Sequence, residues 1–316
     1  MPQGYRTARR REAPALDQHP HARRRVRHTS AFLLALVCAL AVVTGGSGGV
    51  NPPSAVAAPT TVGVVRPGEG VRVTRPGFPD ATTTGVPRGV TLRPAGEVVV
   101  ATAGTVIDGL DIQGCLVIQA SQVTIRRSRI RCQGAYVVKV ADTASGVLLE
   151  DVEIDGAGNP ATIAIGLVGY TVRRANIHHV GDGPRMASAT VVEDSFIHDL
   201  SAGPGSHTDG IQSTGGTGIT ICHNRIENPK RQTSCIMLGA DLGDIRSARV
   251  EGNLLNGGNF TVYAGAEAGR TATGITISGN RFGREAVYGP GDVAATTGVT
   301  WTGNVWHHSG LGIPKP

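Results

Sequence analysis

The stretch Ile219-Thr220-Ile221-Cys222-His223-Asn224-Arg225-Ile226 alternates apolar and polar residues, bends through polar residues and returns to an apolar one. The same arrangement recurs at residues 248–255, 275–282 and 299–306, with an asparagine at the sixth position each time: Asn253, Asn280 and Asn304. Alternation over three residues followed by a bend has the period of a β-strand rather than that of a helix. An asparagine at the same place in successive units predicts a ladder of stacked side-chain amides.

Five further units precede these four along the chain, and each has a triplet with an apolar third residue and another apolar residue five positions after it. The nine triplets end at the following residues, which lie 18 to 29 positions apart: Ile107, Ile125, Leu149, Val172, Val192, Ile221, Val250, Ile277 and Trp301. Repeats of this length that each supply a strand to the same sheet are typical of a β-solenoid, in which equivalent residues stack about 4.8 Å apart. We therefore predict an all-β fold of about nine or more coils, with these nine residues in one inward-facing column.

Charged residues support this register. The residue after each of the first five triplets is charged, and its sign alternates from unit to unit: Asp108, Arg126, Glu150, Arg173 and Glu193. Opposite charges on neighbouring strands attract, whereas like charges directly opposite each other destabilise a sheet. The alternation therefore predicts that these side chains form a column on the outer surface.

The first 57 residues have the parts of a signal peptide. Eight arginines precede the apolar run Ala31–Val43, and Ala55-Val56-Ala57 follows as a small-residue cleavage site. The run has 13 residues, fewer than the roughly 20 that a transmembrane helix needs. We predict a cleaved signal peptide at 1–57, a secreted extracellular protein with no stable membrane insertion, a linker and lead-in cap at 58–97, and the solenoid at 98–316. An uncleaved N-terminal anchor is the alternative.

The basic character of the chain comes from its N-terminal segment. Residues 1–57 hold eight of the 30 Lys and Arg residues and two of the 24 Asp and Glu residues, so that the remainder carries 22 of each. A formal net charge of zero does not provide the basic surface that nucleic-acid binding requires. The balance therefore argues against a nucleic-acid partner.

Four cysteines remain after the signal peptide. An even number in an exported chain favours disulfides, and nearest-neighbour pairing gives Cys115–Cys132 and Cys222–Cys235. The first pair lies at nearly equivalent positions of adjacent units, which stacking brings close together. A zinc site is the competing interpretation, although the spacings fit no metal-binding template.

The histidines are concentrated in one region of the solenoid. Five of the seven histidines beyond residue 57 lie between 178 and 223. The predicted stacking places His178, His198 and Glu227 in one column of three successive units, with His179, Asp199 and Asn228 beside them. The units that begin at 190 and 219 are also the longest, and long loops on a regular scaffold commonly carry function.

Within the first long unit, Ser206-His207-Thr208-Asp209-Gly210-Ile211-Gln212-Ser213 places ionisable groups in a Gly-containing segment. His207 and Asp209 have the chemistry of a base and its orienting carboxylate, or of an acid–base pair, and Gln212 that of a sugar-binding amide. The next unit offers Lys230 and Arg231, which could pair with the carboxylate of an acidic sugar. The alternative is that both segments serve only to hold loops in place.

These features resemble the right-handed parallel β-helix superfamily that includes pectate lyases and polygalacturonases, of the secreted bacterial type, over about residues 98–310. The resemblance implies a single right-handed parallel β-helix. Thr208-Asp209-Gly210-Ile211 is similar to the Asn-Thr-Asp-Gly-Ile/Phe motif of the polygalacturonases, which implies a catalytic carboxylate at Asp209. The family's following Asp-Asp-Cys-Ile corresponds here to Thr233-Ser234-Cys235-Ile236, without either carboxylate.

The resemblance and the residues together predict a carbohydrate-active protein whose partner is an extracellular polysaccharide. The first hypothesis is a polysaccharide lyase for a uronic-acid polymer, with His207 or His198 as base, Asp209 as its orienting group and Lys230 or Arg231 as neutralising cation. Substrate binding is assigned to Arg231, Gln212, His178, Asp199 and Glu227. The alternatives are a polygalacturonase-like glycoside hydrolase that uses Asp209 with Asp199 or Glu227, and a non-catalytic glycan- or wall-binding β-helix. No cofactor is assigned. A Ca²⁺ ion would need clustered acidic residues, and the sequence offers no such cluster.

Overall fold

The computed structural model describes residues 77–231, 233–293 and 298–316. The predicted signal peptide at 1–57 lies outside the described residues, and so do residues 58–76 of the predicted linker and lead-in cap at 58–97. The part that the structure describes is all β and contains no helix, and hence no helix that is long and apolar enough to cross a membrane.

Three sheets contain all the strands of the described residues, and every pairing between these strands is parallel. The nine-stranded sheet consists of β3 (Val106–Asp108), β6 (Thr124–Arg126), β9 (Val147–Glu150), β11 (Tyr170–Arg173), β13 (Thr190–Glu193), β16 (Gly216–Cys222), β19 (Ile245–Glu251), β22 (Ala272–Ser278) and β25 (Thr300–Thr302). The four-stranded sheet consists of β15 (Ile211–Ser213), β18 (Ile236–Ala240), β21 (Phe260–Ala266) and β24 (Gly289–Val293).

The thirteen-stranded sheet takes the strand that follows the bend in each unit. Its main path is β1 (Arg93–Ala95), β4 (Leu110–Gln113), β7 (Arg129–Arg131), β10 (Glu153–Gly166), β12 (Asn176–Pro184), β14 (Phe196–His198), β17 (Arg225–Asn228), β20 (Leu254–Gly257), β23 (Arg281–Phe282) and β26 (Val305–Trp306). The strands β2 (Val98–Val100), β5 (Leu116–Ile118) and β8 (Tyr136–Val140) join it through β10. Strand order thus follows chain order along each path, an arrangement compatible with a β-solenoid.

The predicted inward column is present in the nine-stranded sheet. Its members pair in register from Ile107 to Trp301 without interruption. The eight aliphatic members are buried, and Trp301 is half-buried against the core. Burying a side chain of this size contributes about 1.5–3 kcal/mol. The repeated apolar position therefore both sets the register and forms the core.

The bend that leads from the nine-stranded sheet to the thirteen-stranded sheet is formed by two neighbouring positions of each unit. The second residue after the triplet has a left-handed backbone, with φ between +48° and +54°, in five units: Arg127, Asp151, Arg174, Asp194 and His223. Glycine occupies the same position in the remaining units. A left-handed residue turns the chain sharply, so that the bend is set by backbone conformation in every unit.

The predicted asparagine ladder follows directly after this turn. In Asn253, Oδ1 accepts hydrogen bonds from the backbone N–H and the side-chain amide of Asn224 (2.8 and 3.1 Å). Its Nδ2 donates to Ile221 O (3.0 Å) and to Asn280 Oδ1 (2.9 Å). All four asparagines are buried, and Asn304 continues the pattern. The ladder satisfies buried polar groups coil by coil.

The predicted outer charge column is also present. The Arg173 guanidinium lies 3.3 Å from a carboxylate oxygen of Glu150 and 2.6 Å from one of Glu193, on the two neighbouring strands. Arg126 lies 3.0 Å from Asp108 in the same way. Because these pairs are partly exposed, each contributes little free energy of unfolding, but together they disfavour a shift of register.

Cys115 and Cys132 form the predicted disulfide. The prediction of a Cys222–Cys235 bond is wrong, because both residues are unbonded thiols. Cys222 ends β16 on the outer side of the nine-stranded sheet, whereas Cys235 is fully buried beside β18 with its Sγ 3.3 Å from Asn256 O. Cys222 thus belongs to the nine-stranded sheet, whereas Cys235 lies just before a strand of the four-stranded sheet, and the two thiols face different environments.

Candidate functional site

The four-stranded sheet presents one row of polar and aromatic side chains to the outside. Ile211, Ile236 and Val262 pair in register and are buried, so strand alternation directs the next residue of each strand outward. These outward residues, Gln212, Met237 and Tyr263, also pair in register. An isolated bridge adds Arg185 at one end of the row, and β24 adds Asp292 at the other end. We name the resulting five residues the outer row: Arg185, Gln212, Met237, Tyr263 and Asp292. Neighbouring members are about 4.8 Å apart, a spacing that suits an extended polymer lying across the strands.

Two carboxylates lie beneath this row and are linked to it by hydrogen bonds. Asp209 is fully buried, and its Oδ1 accepts from the backbone N–H (3.0 Å) and the hydroxyl (2.7 Å) of Ser234. Its Oδ2 accepts from Gln212 Nε2 (3.2 Å), while its backbone N–H donates to Asp182 Oδ1 (3.0 Å). Arg185 Nη2 donates to Asp182 Oδ2 (3.0 Å). The network holds the two outer-row side chains Arg185 and Gln212 in place.

Burial raises the pKa of Asp209 to about 6, and the nearby Asp182 carboxylate acts in the same direction, while the hydrogen bonds from Ser234 oppose the shift. Asp209 therefore exchanges its proton close to neutral pH. Because its side chain has no exposed surface, a bound sugar cannot touch it in this conformation. The structure gives Asp209 the surroundings of a positioning residue.

His207 lies in the exposed loop between β14 and β15. The expectation that Asp209 orients this histidine is not met, because the Asp209 carboxylate is taken up by Ser234 and Gln212. The following residue, Thr208, is buried, so that the backbone beside His207 is anchored while its ring faces solvent.

The loop that carries Lys230 and Arg231 stacks against the loop of His207. Asn228 is the link, since its Nδ2 donates to Thr208 O and to Ser234 O, both at 2.7 Å. Its Oδ1 accepts from the backbone N–H of Lys230 (3.0 Å). Lys230 is half-buried and Arg231 is exposed, and neither forms an ion pair with another residue in the described ranges. Two cations therefore lie on a loop that is hydrogen-bonded to the loop of His207.

Aromatic side chains gather at the far end of the outer row. The ring centroid of Phe260 lies 5.4 Å from that of Tyr263 and 5.4 Å from that of Tyr288. Tyr288 is 67% exposed, which is unusual for so large a side chain. An exposed aromatic ring is a stacking surface for a sugar, a feature that the low aromatic content of the sequence did not lead us to expect.

The other predicted site residues lie on the thirteen-stranded sheet. His178 pairs in register with His198, as predicted from the spacing. The His198 ring is held on both sides, with Nδ1 2.7 Å from Asp199 Oδ2 and Nε2 2.9 Å from Asn176 Oδ1. Burial lowers the pKa of His198, although the Asp199 carboxylate opposes this effect. An imidazole with both nitrogens engaged is poorly placed to take a proton from a substrate.

Glu227, the third member of this predicted column, is bound to a neighbour on its own strand. Arg225 Nε lies 2.8 Å from Glu227 Oε1, and the Arg225 guanidinium lies 5.0 Å from the ring centroid of Phe196. Asp199 is mostly exposed, and its hydrogen bond with His198 lowers the pKa of the carboxyl group. The predicted residues therefore fall into two groups, one beside the outer row and one on the thirteen-stranded sheet.

A three-residue group with potential metal ligands lies within this second set. In the described part of the chain, one nitrogen from each of His178 and His179 and one carboxylate oxygen of Asp155 lie within 4.8 Å of one another. Two nitrogens and one oxygen suit a transition metal better than Ca²⁺, which takes six to eight oxygen ligands. No metal was assigned from the sequence.

A comparison of the chain with protein-family models, with curated protein sequences and with solved structures gives no match. The case for a function therefore rests on the residues and their geometry.

Proposed function

We propose that this protein is a secreted polysaccharide lyase whose body is a single right-handed parallel β-helix of about nine coils, and that it cleaves a uronic-acid-containing glycan along the outer row. The observation that carries the proposal is the combination of an exposed imidazole, His207, with a stacked loop that bears Lys230 and Arg231. Elimination from a uronate requires a base to remove the proton and a cation to stabilise the negative charge on the carboxylate.

The reaction proceeds through abstraction of the proton on C5 of the uronate. The C5–H bond breaks, its electron pair forms the C4–C5 double bond, and the C4–O bond to the neighbouring sugar breaks as the leaving oxygen takes up a proton. His207 is the base, because its ring is exposed whereas both His198 nitrogens are engaged. Lys230 and Arg231 stabilise the negative charge that develops on the substrate carboxylate.

The outer row binds and orients the polymer. Gln212 is held by Asp209 and Arg185 by Asp182, so both present their polar ends in fixed positions. Tyr288 provides a stacking surface for a further sugar unit. Asp209 acts through Gln212 and Ser234 as a positioning residue.

A glycoside hydrolase is the second candidate, and one observation favours it. Asp182 and Asp209 are adjacent carboxylates, and a pKa of about 6 at Asp209 suits a general acid. The absence of exposed surface on Asp209 counts against this mechanism, because the acid must reach the glycosidic oxygen.

The experiment is a product assay on a panel of polyuronates that records ultraviolet absorbance and new reducing ends together. Elimination creates a conjugated double bond, so the lyase proposal predicts that both signals rise in parallel. New reducing ends without absorbance would replace the proposal with hydrolysis. Binding of a polyuronate without either signal would instead make the protein a glycan-binding module.

A further inference from the structure

Two consecutive histidines on the thirteen-stranded sheet point to the same place. In a regular strand, neighbouring side chains point to opposite faces. His179 departs from this rule because its backbone is left-handed, with φ +53°. The turn brings His179 Nδ1 to 2.7 Å from His178 Nδ1.

A carboxylate on the neighbouring strand completes a triangle. Asp155 pairs in register with His178. Its Oδ1 lies 3.8 Å from His178 Nδ1 and 3.6 Å from His179 Nδ1. In a tetrahedral zinc site with bonds of about 2.0–2.1 Å, ligand atoms are about 3.3 Å apart. The three separations lie on either side of this value, so small side-chain rotations would bring all three atoms to bonding distance of one ion.

Neighbouring groups orient the ligands toward this point. Glu153 Oε1 lies 3.4 Å from His178 Nε2, which favours a proton on Nε2 and leaves the Nδ1 lone pair directed at His179 and Asp155. The backbone N–H of Ala157 donates to Asp155 Oδ1 (2.7 Å), and Arg131 Nε lies 3.4 Å from Asp155 Oδ2. Asp155 and His178 are buried, so their carboxylate and imidazole are shielded from water. The two Nδ1 atoms, 2.7 Å apart, therefore share either one proton, in an N–H···N hydrogen bond, or a metal ion.

We propose that Asp155, His178 and His179 bind one Zn²⁺ ion. Imidazole nitrogen and carboxylate oxygen are ligands that zinc accepts, and Glu153 behind His178 is the outer-sphere carboxylate that such sites commonly have. His179 is half-exposed, so a fourth position is open to water. The site is on the thirteen-stranded sheet, and the proposal does not depend on the reaction proposed at the outer row.

The test is calorimetric titration of Zn²⁺ into the purified protein, freed of metal by chelation and carrying no histidine tag. The wild-type protein is expected to bind Zn²⁺ at the cluster and to melt at a higher temperature with the metal than without it. His179→Ala removes a half-exposed ligand, and Asp155→Asn removes the charged one. Each is expected to weaken zinc affinity at least tenfold and to abolish the zinc-dependent rise in melting temperature.

The matched control is His307→Ala/His308→Ala, which removes the other pair of consecutive histidines, whose ring centroids lie 5.1 Å apart. This variant should keep the wild-type affinity for the cluster site. The proposal is overturned if stripped wild-type protein binds no Zn²⁺, which would leave a shared proton between the two imidazoles. It is equally overturned if His179→Ala binds Zn²⁺ as tightly as the wild type does.

Discussion

At the scale of single residues, Asp209 shows how one side chain can serve a site without touching a ligand. Its carboxyl group has no exposed surface and accepts hydrogen bonds from Ser234 and Gln212. Burial raises its pKa to about 6, so the folded protein holds the proton to a higher pH than the unfolded chain does. Protonation of this group is thereby coupled to folding.

We predict that Asp209→Asn changes how stability depends on pH. Between pH 4 and 6 the unfolded chain releases this proton while the folded chain keeps it, so the free energy of unfolding of the wild type falls as pH rises. A difference of about two pKa units corresponds to about 3 kcal/mol. Denaturant titrations from pH 4 to 7 should show that the difference between wild type and variant declines by roughly this amount, and a constant difference would contradict the assignment.

Asp199→Asn is the matched control for this measurement. The hydrogen bond with His198 lowers the pKa of Asp199, so this group stabilises the fold above its unfolded pKa of about 3.9 and loses that contribution as pH falls. Its effect has the opposite sign and lies at lower pH.

The cysteines give a second prediction at this scale. Burial raises the pKa of Cys235 to about 12, whereas Cys222 is only partly buried. An alkylating reagent should therefore label Cys222 slowly in the folded protein, label Cys235 after unfolding, and label Cys115 and Cys132 after reduction. Peptide mapping by mass spectrometry checks the order. A Cys222–Cys235 peptide in the non-reduced map would contradict the structure.

At the scale of the repeating unit, a left-handed residue and an asparagine after it build each of the later bends. The φ angle at His223 turns the chain, and Asn224 next to it bonds to the coil on either side through Val192 O and Asn253. In the earlier units, Ser195 and Ser128 occupy the asparagine position with shorter hydrogen-bonding side chains. Each bend therefore depends on hydrogen bonds to its neighbours.

We predict that Asn253→Ala destabilises the protein by about 3 kcal/mol, because it leaves the buried N–H of Asn224 and the buried carbonyl of Ile221 without partners. Arg249→Ala, on the exposed side of the adjoining strand, is the control and should change stability by less than about 0.5 kcal/mol. Equal unfolding free energies for the two variants would show that the ladder is not needed for stability.

At the scale of the whole molecule, the three sheets present different groups of side chains. The nine-stranded sheet carries the ion pairs of Arg173 with Glu150 and Glu193, and the four-stranded sheet carries four of the five outer-row residues. The thirteen-stranded sheet carries the histidine and acid groups together with further ion pairs such as Arg225–Glu227. A regular scaffold with the core residues in columns leaves the outward positions open to different chemistry on each face.

The repeat was predictable from the sequence because one physical rule, stacking of equivalent residues, determines core, charge and asparagine columns together. The same rule placed His178 beside His198 and Cys115 near Cys132. The zinc cluster was not predicted, although the spacing of the repeat also puts Asp155 at the position equivalent to His178 in the preceding unit. The third ligand, His179, reaches the cluster because its backbone is left-handed, and a histidine at that position does not by itself specify this conformation.

The arrangement of the loop residues could not be predicted from the sequence either. Strand alternation left open whether Asp209 lies inward with Ile211 or at a strand edge, and in the structure both residues are buried. The pairing of Cys222 with Cys235 failed for a related reason, since nearness along the chain does not reveal which sheet each thiol joins. Outward residues in long loops are placed by contacts between coils, which the repeat alone does not specify.

Polyuronate cleavage and melting temperature, measured together for His207→Ala and His198→Ala, distinguish the two candidate bases. We predict that His207→Ala lowers turnover on the order of 10²–10⁴ with an unchanged melting temperature, since the ring is an exposed base. We expect His198→Ala to lower the melting temperature, because it loses hydrogen bonds to Asp199 and Asn176, while turnover per folded molecule is retained. Full activity in His207→Ala together with loss of activity in His198→Ala would rule out His207 as the base and move the site to the thirteen-stranded sheet.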